Sequence, residues 1–169
     1  VTVSVNHLKS KGSLSGLAED EDQLDGAGNN NATREAAAEI LADWLASDPT
    51  GQGADKVMIL GDQNAYAQED PIKLLEGEGY TDLGRASNPD AYSYVFDGQI
   101  GTLDYAMANP ALLAEFTGAT EWHINADEAD VFDYDTSFND PAFYDGDTPA
   151  RYSDHDPVIA GFSFYNDVT

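Results

Sequence analysis

The feature that most limits the possible folds is an apolar run followed at once by polar residues, at positions 56–66. Its apolar part is rich in branched side chains, which predicts a buried strand. Gly61 ends the strand and lets the backbone turn sharply. Asp62 and Asn64 then place a carboxylate and a carboxamide just past the carboxyl end of the strand. Reactive side chains occupy this position in α/β proteins, although Gly, Asp and Asn are also common in ordinary turns.

Three other segments carry residues of similar chemistry. The chain begins with alternating apolar and polar residues, which predicts a half-buried strand, and His7 follows where this strand ends. The motif Leu-Asp-Tyr at 103–105 places Asp104 inside another apolar strand. The motif Ser-Asp-His-Asp-Pro at 153–157 comes directly before the last apolar run. Each motif alone is a weak signal, and the four together in this order are a strong one.

The order strand-His, Gly-Asp-x-Asn, Leu-Asp-Tyr, Ser-Asp-His-x-Pro resembles the second-half motifs of the endonuclease/exonuclease/phosphatase family, which includes deoxyribonuclease I. Residues 64–72, 97–105 and 122–128 further resemble the large secreted bacterial nuclease branch, and the resemblance extends from Val1 to about Phe164. It implies an α/β fold of the α+β sandwich type, the second half of a four-layer deoxyribonuclease I-like architecture. We therefore expect a mixed, mainly antiparallel sheet with flanking helices on one face and an apolar opposite face that packs on a second sheet.

The activity implied by the resemblance is metal-dependent hydrolysis of phosphodiesters in DNA, with RNA as a further substrate. Such hydrolysis needs an aligned water, neutralisation of charge on the phosphoryl oxygens and a proton for the leaving alkoxide. The resemblance assigns catalysis to His7, Asp62, Asn64, Asp104 and His155, and the metal to Asp62 and Asp154.

The individual roles follow from the same resemblance. Asp62 would orient or deprotonate the water, and Asn64 would donate to a non-bridging oxygen. His155, held by Asp104, and His7 would lie on opposite sides of the phosphate, and which imidazole is the acid stays open. An oxygen-rich site suits a hard cation, so we expect Mg²⁺ or Mn²⁺, with Ca²⁺ as a third candidate.

A complete family member also has a first half, which supplies an Asn at the end of its first strand, a metal-binding Glu and an acid that partners the first histidine. None of these can be placed in this sequence. We therefore expect residues 1–169 to be the carboxy-terminal half of one catalytic domain. The other half would lie in the same or in a separate chain, and the isolated chain would show no metal-dependent cleavage.

The net charge is unusual for a protein that binds nucleic acid, because 32 acids against 7 bases give −25. Three explanations are open: solvation in a salt-rich habitat, a surface that loads calcium, or no contact with nucleic acid. We favour the first, since the acids are spread along the chain and since the Debye length falls to roughly 3 Å at about 1 M salt. Lys9, Lys11 and Arg151 lie within four residues of His7 or His155, so positive charge is kept near the expected chemistry.

Two other functions stay open. One is a phosphomonoesterase or lipid phosphodiesterase of the same fold, and the other is a catalytically silent, acidic, calcium-loaded binding domain. The acids from Asp133 onwards begin like a calcium loop, but Phe138 and Tyr144 stand where an EF-hand has Gly and a bidentate Glu.

The resemblance implies an extracellular enzyme, and the sequence has no run long enough to span a membrane.

The remaining patterns predict secondary structure. An apolar stripe predicts a helix at 32–47, with Ile40 and Trp44 among its core residues. Short helices are expected from Asp70 to Leu75 and from Asn109 to Phe116. Strands are expected at 120–124 and, as a hairpin, at 92–96 and 102–108.

Three aromatic side chains near these motifs have two interpretations each. Tyr94 and Phe96 are expected in the core because they alternate on a strand, with stacking on a base or sugar as the alternative. His123 is expected to pack or to support the site, and not to act in catalysis.

Overall fold

The computed structural model describes residues 1–132, 135, 137, 140–144, 146, 147 and 151–165. Asp133 and Phe138 of the calcium-like segment lie outside the described residues. In chain order the α-helices and strands are β1 (Thr2–Val5), α1 (Asn31–Ala46), β2 (Val57–Asp62), α2 (Asp70–Gly77), β3 (Thr81–Asp82), α3 (Leu83–Ser87), β4 (Tyr94–Phe96), β5 (Gln99–Gly101), β6 (Asp104–Ala108), α4 (Pro110–Leu113), β7 (Phe116–Glu121) and β8 (Val158–Phe162). No described helix is both long enough and apolar enough to cross a bilayer.

The central sheet has four strands in the order β1-β2-β6-β3. Strands β1 and β2 are parallel, and β6 is antiparallel to both β2 and β3. Two further antiparallel pairs, β4–β5 and β7–β8, stand beside this sheet. The arrangement confirms the expected mixed, mainly antiparallel sheet with flanking helices.

Helices and strands cover both faces of the central sheet. On one face, α1 and α2 bury an apolar cluster with β2 and β6 that includes Leu41, Ile59 and Met107. On the other face, Met58 and Ala106 pack with α3, α4 and the β7–β8 pair. The helices were expected on one face only. The difference arises because α3 and α4 carry buried leucines of their own, and these join the second cluster.

Helix α1 occupies the expected part of the chain but buries a narrower stripe. Leu41 and Leu45 are buried, whereas Ile40 and Trp44 are 68% and 52% exposed. The prediction that these two residues are core residues is therefore wrong. Because the helix is apolar around more than one face, its periodicity alone does not identify the side that meets the sheet.

The hairpin also differs from expectation. Strand β4 pairs with β5 through the two-residue turn Asp97-Gly98, in which both residues have positive φ. Strand β6 was expected to be the second strand of the hairpin, but it pairs with β2 in the central sheet instead. Its residues are too apolar for an exposed hairpin, since four of its five residues are buried.

The other short elements shift at their ends. Helix α2 extends past Leu75 to Gly77. Asn109 caps α4 by accepting the backbone N–H of Leu112, but α4 ends at Leu113, and Phe116 already belongs to β7. The strand expected at 120–124 therefore begins earlier and ends at Glu121.

Strand β1 turns its apolar side away from α1 and α2. Ser4 is buried, whereas Val3 and Val5 are exposed. These valines pair in register with Met58 and Leu60, so they continue the face of the sheet that carries the second apolar cluster. At this edge the apolar face extends beyond the part that β7 and β8 cover.

Candidate active site

The site begins with two acids that face each other across a pair of strands. Asp62 is the last residue of β2, Asp104 is the first residue of β6, and the two are directly opposite. Like charges in this position destabilise a sheet. Burial raises the pKa of Asp62, and the charge of Asp104 raises it further, against the opposing effect of nearby His155 and His7. The opposed acids lie at the edge of the sheet where His7 and His155 contact them.

Asp62 is held in a fixed orientation by its own turn. Gly61 has φ +113°, and a Cβ at this position would lie 2.1 Å from the carbonyl oxygen of Asn6, so only glycine fits. The backbone N–H of Asn64 donates to Asp62 Oδ1 over 2.7 Å. The Asn64 side chain donates to Asp62 Oδ2 over 2.9 Å and to the carbonyl oxygen of Leu8 over 3.1 Å.

These contacts change what Asn64 can do. Both hydrogens of its amide are already used, whereas the sequence suggested that it donates to a phosphoryl oxygen. In this structure Asn64 orients Asp62 and ties the end of β1 to the end of β2.

His155 forms a second pair with a carboxylate. Its Nδ1 lies 2.7 Å from Asp104 Oδ2, and the same oxygen accepts the hydroxyl of Ser93 over 2.8 Å. Burial alone would lower the pKa of His155, but the hydrogen bond and the charge of Asp104 outweigh it and raise the pKa above its usual value. With Nδ1 engaged, Nε2 is the ring nitrogen that is not paired with Asp104, and it lies 4.0 Å from Asp154 Oδ2.

His7 completes the group from the end of β1. Its Nε2 lies 3.3 Å from Asp62 Oδ2, and its side chain is 75% exposed. A ring that is this exposed can move towards a bound molecule at little cost. The two imidazoles therefore differ, because one is partly buried and held by Asp104 and the other is open to solvent.

All six residues singled out from the sequence line one cleft of about 810 Å³. The sequence segments that meet there are far apart in the chain, since β1, β2, β6 and the turn before β8 each contribute. Other residues that line the cleft are Ser10, Lys11, Gly12, Tyr66, Tyr94, Phe96, Leu103 and Ser153.

The donor atoms fit a hard divalent cation. Among the described residues, Asp62, Asp104 and His155 each offer a ligand atom, and these atoms lie within 4.8 Å of one another. Asp104 Oδ2 is engaged by His155 and Ser93, and both oxygens of Asp62 accept hydrogen bonds from Asn64, so of these three carboxylates the half-exposed Asp154 is the one most open to an ion. Mg²⁺ is commonly bound by one or two carboxylates, with water and substrate phosphate as the other ligands.

The cations near the cleft are engaged elsewhere. Lys11 Nζ donates to Glu69 Oε2 and to the carbonyl oxygen of Ala27. Lys9 Nζ donates to Ser13 Oγ, and Arg151 is buried with a bond to the carbonyl oxygen of Asn125. These three side chains thus mainly order the loops around the cleft.

The third histidine lies outside the residues that line the cleft. His123 Nδ1 lies 2.8 Å from Asp156 Oδ2, and the ring stacks on Tyr92 with centroids 4.3 Å apart. Asp156 is buried and its other oxygen accepts the backbone N–H groups of residues 124, 125 and 126. This pair fastens the turn after β7 to the turn before β8.

Sequence reasoning missed Ser93 and misjudged two aromatic residues. Ser93 is buried, and its Oγ accepts the backbone N–H groups of Leu103 and Asp104 while it donates to Asp104 Oδ2. A lone serine before a strand carries no signal that would reveal this role. Tyr94 and Phe96 line the cleft, and Phe96 is 59% exposed, so their assignment to the core is wrong.

Comparison with known proteins identifies the fold. The sequence matches no protein-family model and no curated protein sequence. An AP endonuclease from Archaeoglobus fulgidus has a similar structure, with a TM-score of 0.57, 14% identity, and coverage of 96% of this chain and 61% of that chain. A conserved protein of unknown function from Enterococcus faecalis V583 matches with a TM-score of 0.54, 13% identity, and coverage of 95% and 49%. The chain has the fold of these structures and spans about half to three-fifths of their length.

Proposed function

We propose that this chain is part of a metal-dependent phosphodiesterase of the endonuclease/exonuclease/phosphatase family that hydrolyses DNA. The observation that supports the proposal is the meeting of two histidine–carboxylate pairs, His7–Asp62 and His155–Asp104, in one cleft. A structurally similar protein is an AP endonuclease. Together they favour a hydrolase that acts on phosphate esters.

The residues in the cleft divide the chemistry between them. When bound, the divalent ion supplies neutralisation of charge on the phosphoryl oxygens. Asp62 and Asp154 hold it, and Asn64 keeps Asp62 oriented. His155 holds or releases a proton at Nε2 while Asp104 fixes its ring, and His7 faces it from the open side of the cleft. The assignment of acid and base between the two imidazoles stays open.

We further propose that a second polypeptide segment completes the catalytic domain. Support comes from the exposed Val3 and Val5, which extend the apolar face of the central sheet past the strands that cover it. An apolar face of a sheet is stable when another layer packs on it. The isolated chain is then expected to show no metal-dependent cleavage, and a purified 169-residue chain that cleaves DNA would refute this second proposal.

The proposed enzyme is secreted and works at high salt. Support for activity at high salt comes from the net charge of −25. At about 1 M salt the Debye length falls to roughly 3 Å, so salt screens the repulsion between this charge and a phosphate backbone. In dilute buffer the same charge repels nucleic acid. Cleavage is therefore expected to persist, or to rise, from low to molar salt.

Cleavage of single-stranded DNA, with nicking of supercoiled plasmid measured beside it, tests the function. The polypeptide that contains both this chain and the proposed second segment is assayed with Mg²⁺, with Mn²⁺ and with EDTA, each in dilute and in molar salt. We expect cleavage that EDTA abolishes, that survives molar salt, and that Asp154→Asn and His155→Ala abolish. Hydrolysis of phosphomonoesters or phospholipids without nicking would favour the second enzyme class, and calcium binding without any hydrolysis would favour the silent binding domain.

A further inference from the structure

The cleft continues into a row of aromatic rings on one face of the β4–β5 hairpin. Tyr94 lies against His155 with ring centroids 4.5 Å apart, and Phe96 stacks on Tyr94 at 6.4 Å with an angle of 13° between the rings. Tyr94 and Phe96 are two residues apart on β4, so they share a face of the hairpin. The row therefore leads from the catalytic imidazole outward to the exposed ring of Phe96.

A fourth ring extends this surface sideways. Tyr66 packs against the backbone of Gly101, where an added Cβ would lie 2.5 Å from Tyr66 Cε1. Gly101 is paired with Tyr94 across the hairpin, and so Tyr66 covers the same face as the aromatic row. Tyr66 and Phe96 also line a second pocket of about 630 Å³ beside the cleft.

Charge contributes little to holding a nucleic acid on this surface, although Lys11 Nζ lies 5.5 Å from the centre of the Tyr66 ring. The cations that line the two pockets are Lys11 and Arg85. Lys11 is engaged by Glu69, and Arg85 forms ion pairs with Asp82 and Glu76. Asp97 at the tip of the hairpin adds a negative charge beside Phe96. Phosphates are thus poorly bound there, whereas the faces of bases can stack on aromatic rings without any charge.

We propose that this aromatic surface, formed by Tyr66, Tyr94 and Phe96, binds the unpaired bases next to the scissile phosphate, and that the substrate is single-stranded nucleic acid. The bases of an intact duplex are stacked and paired, so they must first be extruded to reach such a surface. The inference rests on the proposed function, because it takes His155 to mark the position of the phosphate. It also explains how a protein of charge −25 can bind nucleic acid in salt, since stacking does not depend on counterion release.

The test is equilibrium binding in EDTA, where no cleavage occurs. The probe is a dT octanucleotide with a central 2-aminopurine, whose fluorescence reports stacking, and it is compared with its duplex and with an octamer that has sugar and phosphate but no bases. We expect the single strand to bind at least about tenfold more tightly than either competitor. We also expect its Kd to change less than about threefold between roughly 50 and 200 mM salt, where phosphate-driven binding falls by orders of magnitude.

Two variants and a control locate the surface. Phe96→Ala is expected to weaken binding of the single strand about tenfold, and Phe96→Trp to preserve it. Phe96 is exposed, so its removal leaves the fold intact. Trp44→Ala is the matched control, because Trp44 is a similarly exposed aromatic residue on α1 that lines neither pocket, and it should leave binding unchanged.

The outcomes separate this inference from the proposed function. Equal binding of the octamer without bases, or unchanged binding by Phe96→Ala, would overturn the aromatic surface even if His155→Ala abolishes cleavage. Binding that depends on Phe96 in a protein that never cleaves nucleic acid would instead count against the phosphodiesterase. A loss of binding in Trp44→Ala equal to that in Phe96→Ala would also overturn the assignment.

Discussion

His155–Asp104 and His123–Asp156 are the same chemical pair in two different surroundings. Both join an imidazole Nδ1 to a carboxylate Oδ2, over 2.7 and 2.8 Å, and both rings lie against a tyrosine. The carboxylate of the first pair is held by one serine hydroxyl and faces another acid across the strands. The carboxylate of the second accepts three backbone N–H groups and closes a turn.

The difference teaches that a carboxylate partner does not by itself make a histidine catalytic. What distinguishes His155 is the position of its second nitrogen, which lies in a cleft with Asp62, Asp154 and His7. His123 has no place among the residues that line that cleft. The first pair is therefore suited to proton transfer and the second to stability.

The largest expected effect is on activity. In the polypeptide that includes the proposed second segment, His155→Ala should lower kcat for cleavage of single-stranded DNA by about 10²- to 10⁴-fold, which is the usual contribution of a general acid or base. His123→Ala should change it less than about threefold. Initial rates in Mg²⁺ measure both. Similar losses in the two variants would show that the pairs do not differ in role.

Replacement of the two carboxylates should have the opposite order of effects on stability. The change at Asp156 should cost more than the change at Asp104. Asp156→Asn keeps the size of the side chain but removes the charge that three backbone N–H groups share, two of them in buried residues, so we expect a loss of about 2–3 kcal/mol in the free energy of unfolding. Asp104→Asn should cost about 1 kcal/mol or less, because it also relieves the repulsion with Asp62. Urea denaturation of both variants checks this order, and a larger loss in Asp104→Asn contradicts it.

Ser93 tests how the first pair is held. Ser93→Ala removes the hydroxyl that orients Asp104, so we expect kcat to fall about tenfold with KM unchanged. Ser93→Thr keeps the hydroxyl and should restore most of the rate. A rise in KM, or no rescue by threonine, would mean that the serine supports packing alone.

The smallest effect is a change of chemical shift. Titration of the chain with MgCl₂ should move the ring-proton signals of His155 more than those of His123, because His155 lies beside Asp154 in the cleft. Asp154→Asn should reduce that movement. Equal movement of both rings would place the ion elsewhere.

Local sequence patterns predicted the parts of the site that lie on strand ends. The apolar run before Gly61 identified β2, and the position of Asp62 at its end followed from that. The period of two located β1 and therefore His7. The fold class followed from the order of the motifs, and the structure confirms it.

The predictions that failed concern contacts between residues distant in sequence. The turn Asp97-Gly98 signals a hairpin, but its strands are only three residues each, and the sequence does not reveal that β6 joins β2. The outward side of α1 carries Ile40 and Trp44 among its acids, so large apolar residues alone do not mark the buried side. The role of Ser93 in orienting Asp104 is recognised only from the fold, which places the two side chains in contact.

The hydrogen bond between His155 and Asp104 has a consequence for the order in which the site forms during synthesis. The bond that fixes the imidazole joins residues 51 positions apart, and the backbone N–H of Asp156 also reaches back to the carbonyl oxygen of Ser93. During synthesis the acids at the ends of β2 and β6 emerge well before their imidazole partner. A polypeptide that ends before residue 155 therefore lacks the His155–Asp104 pair.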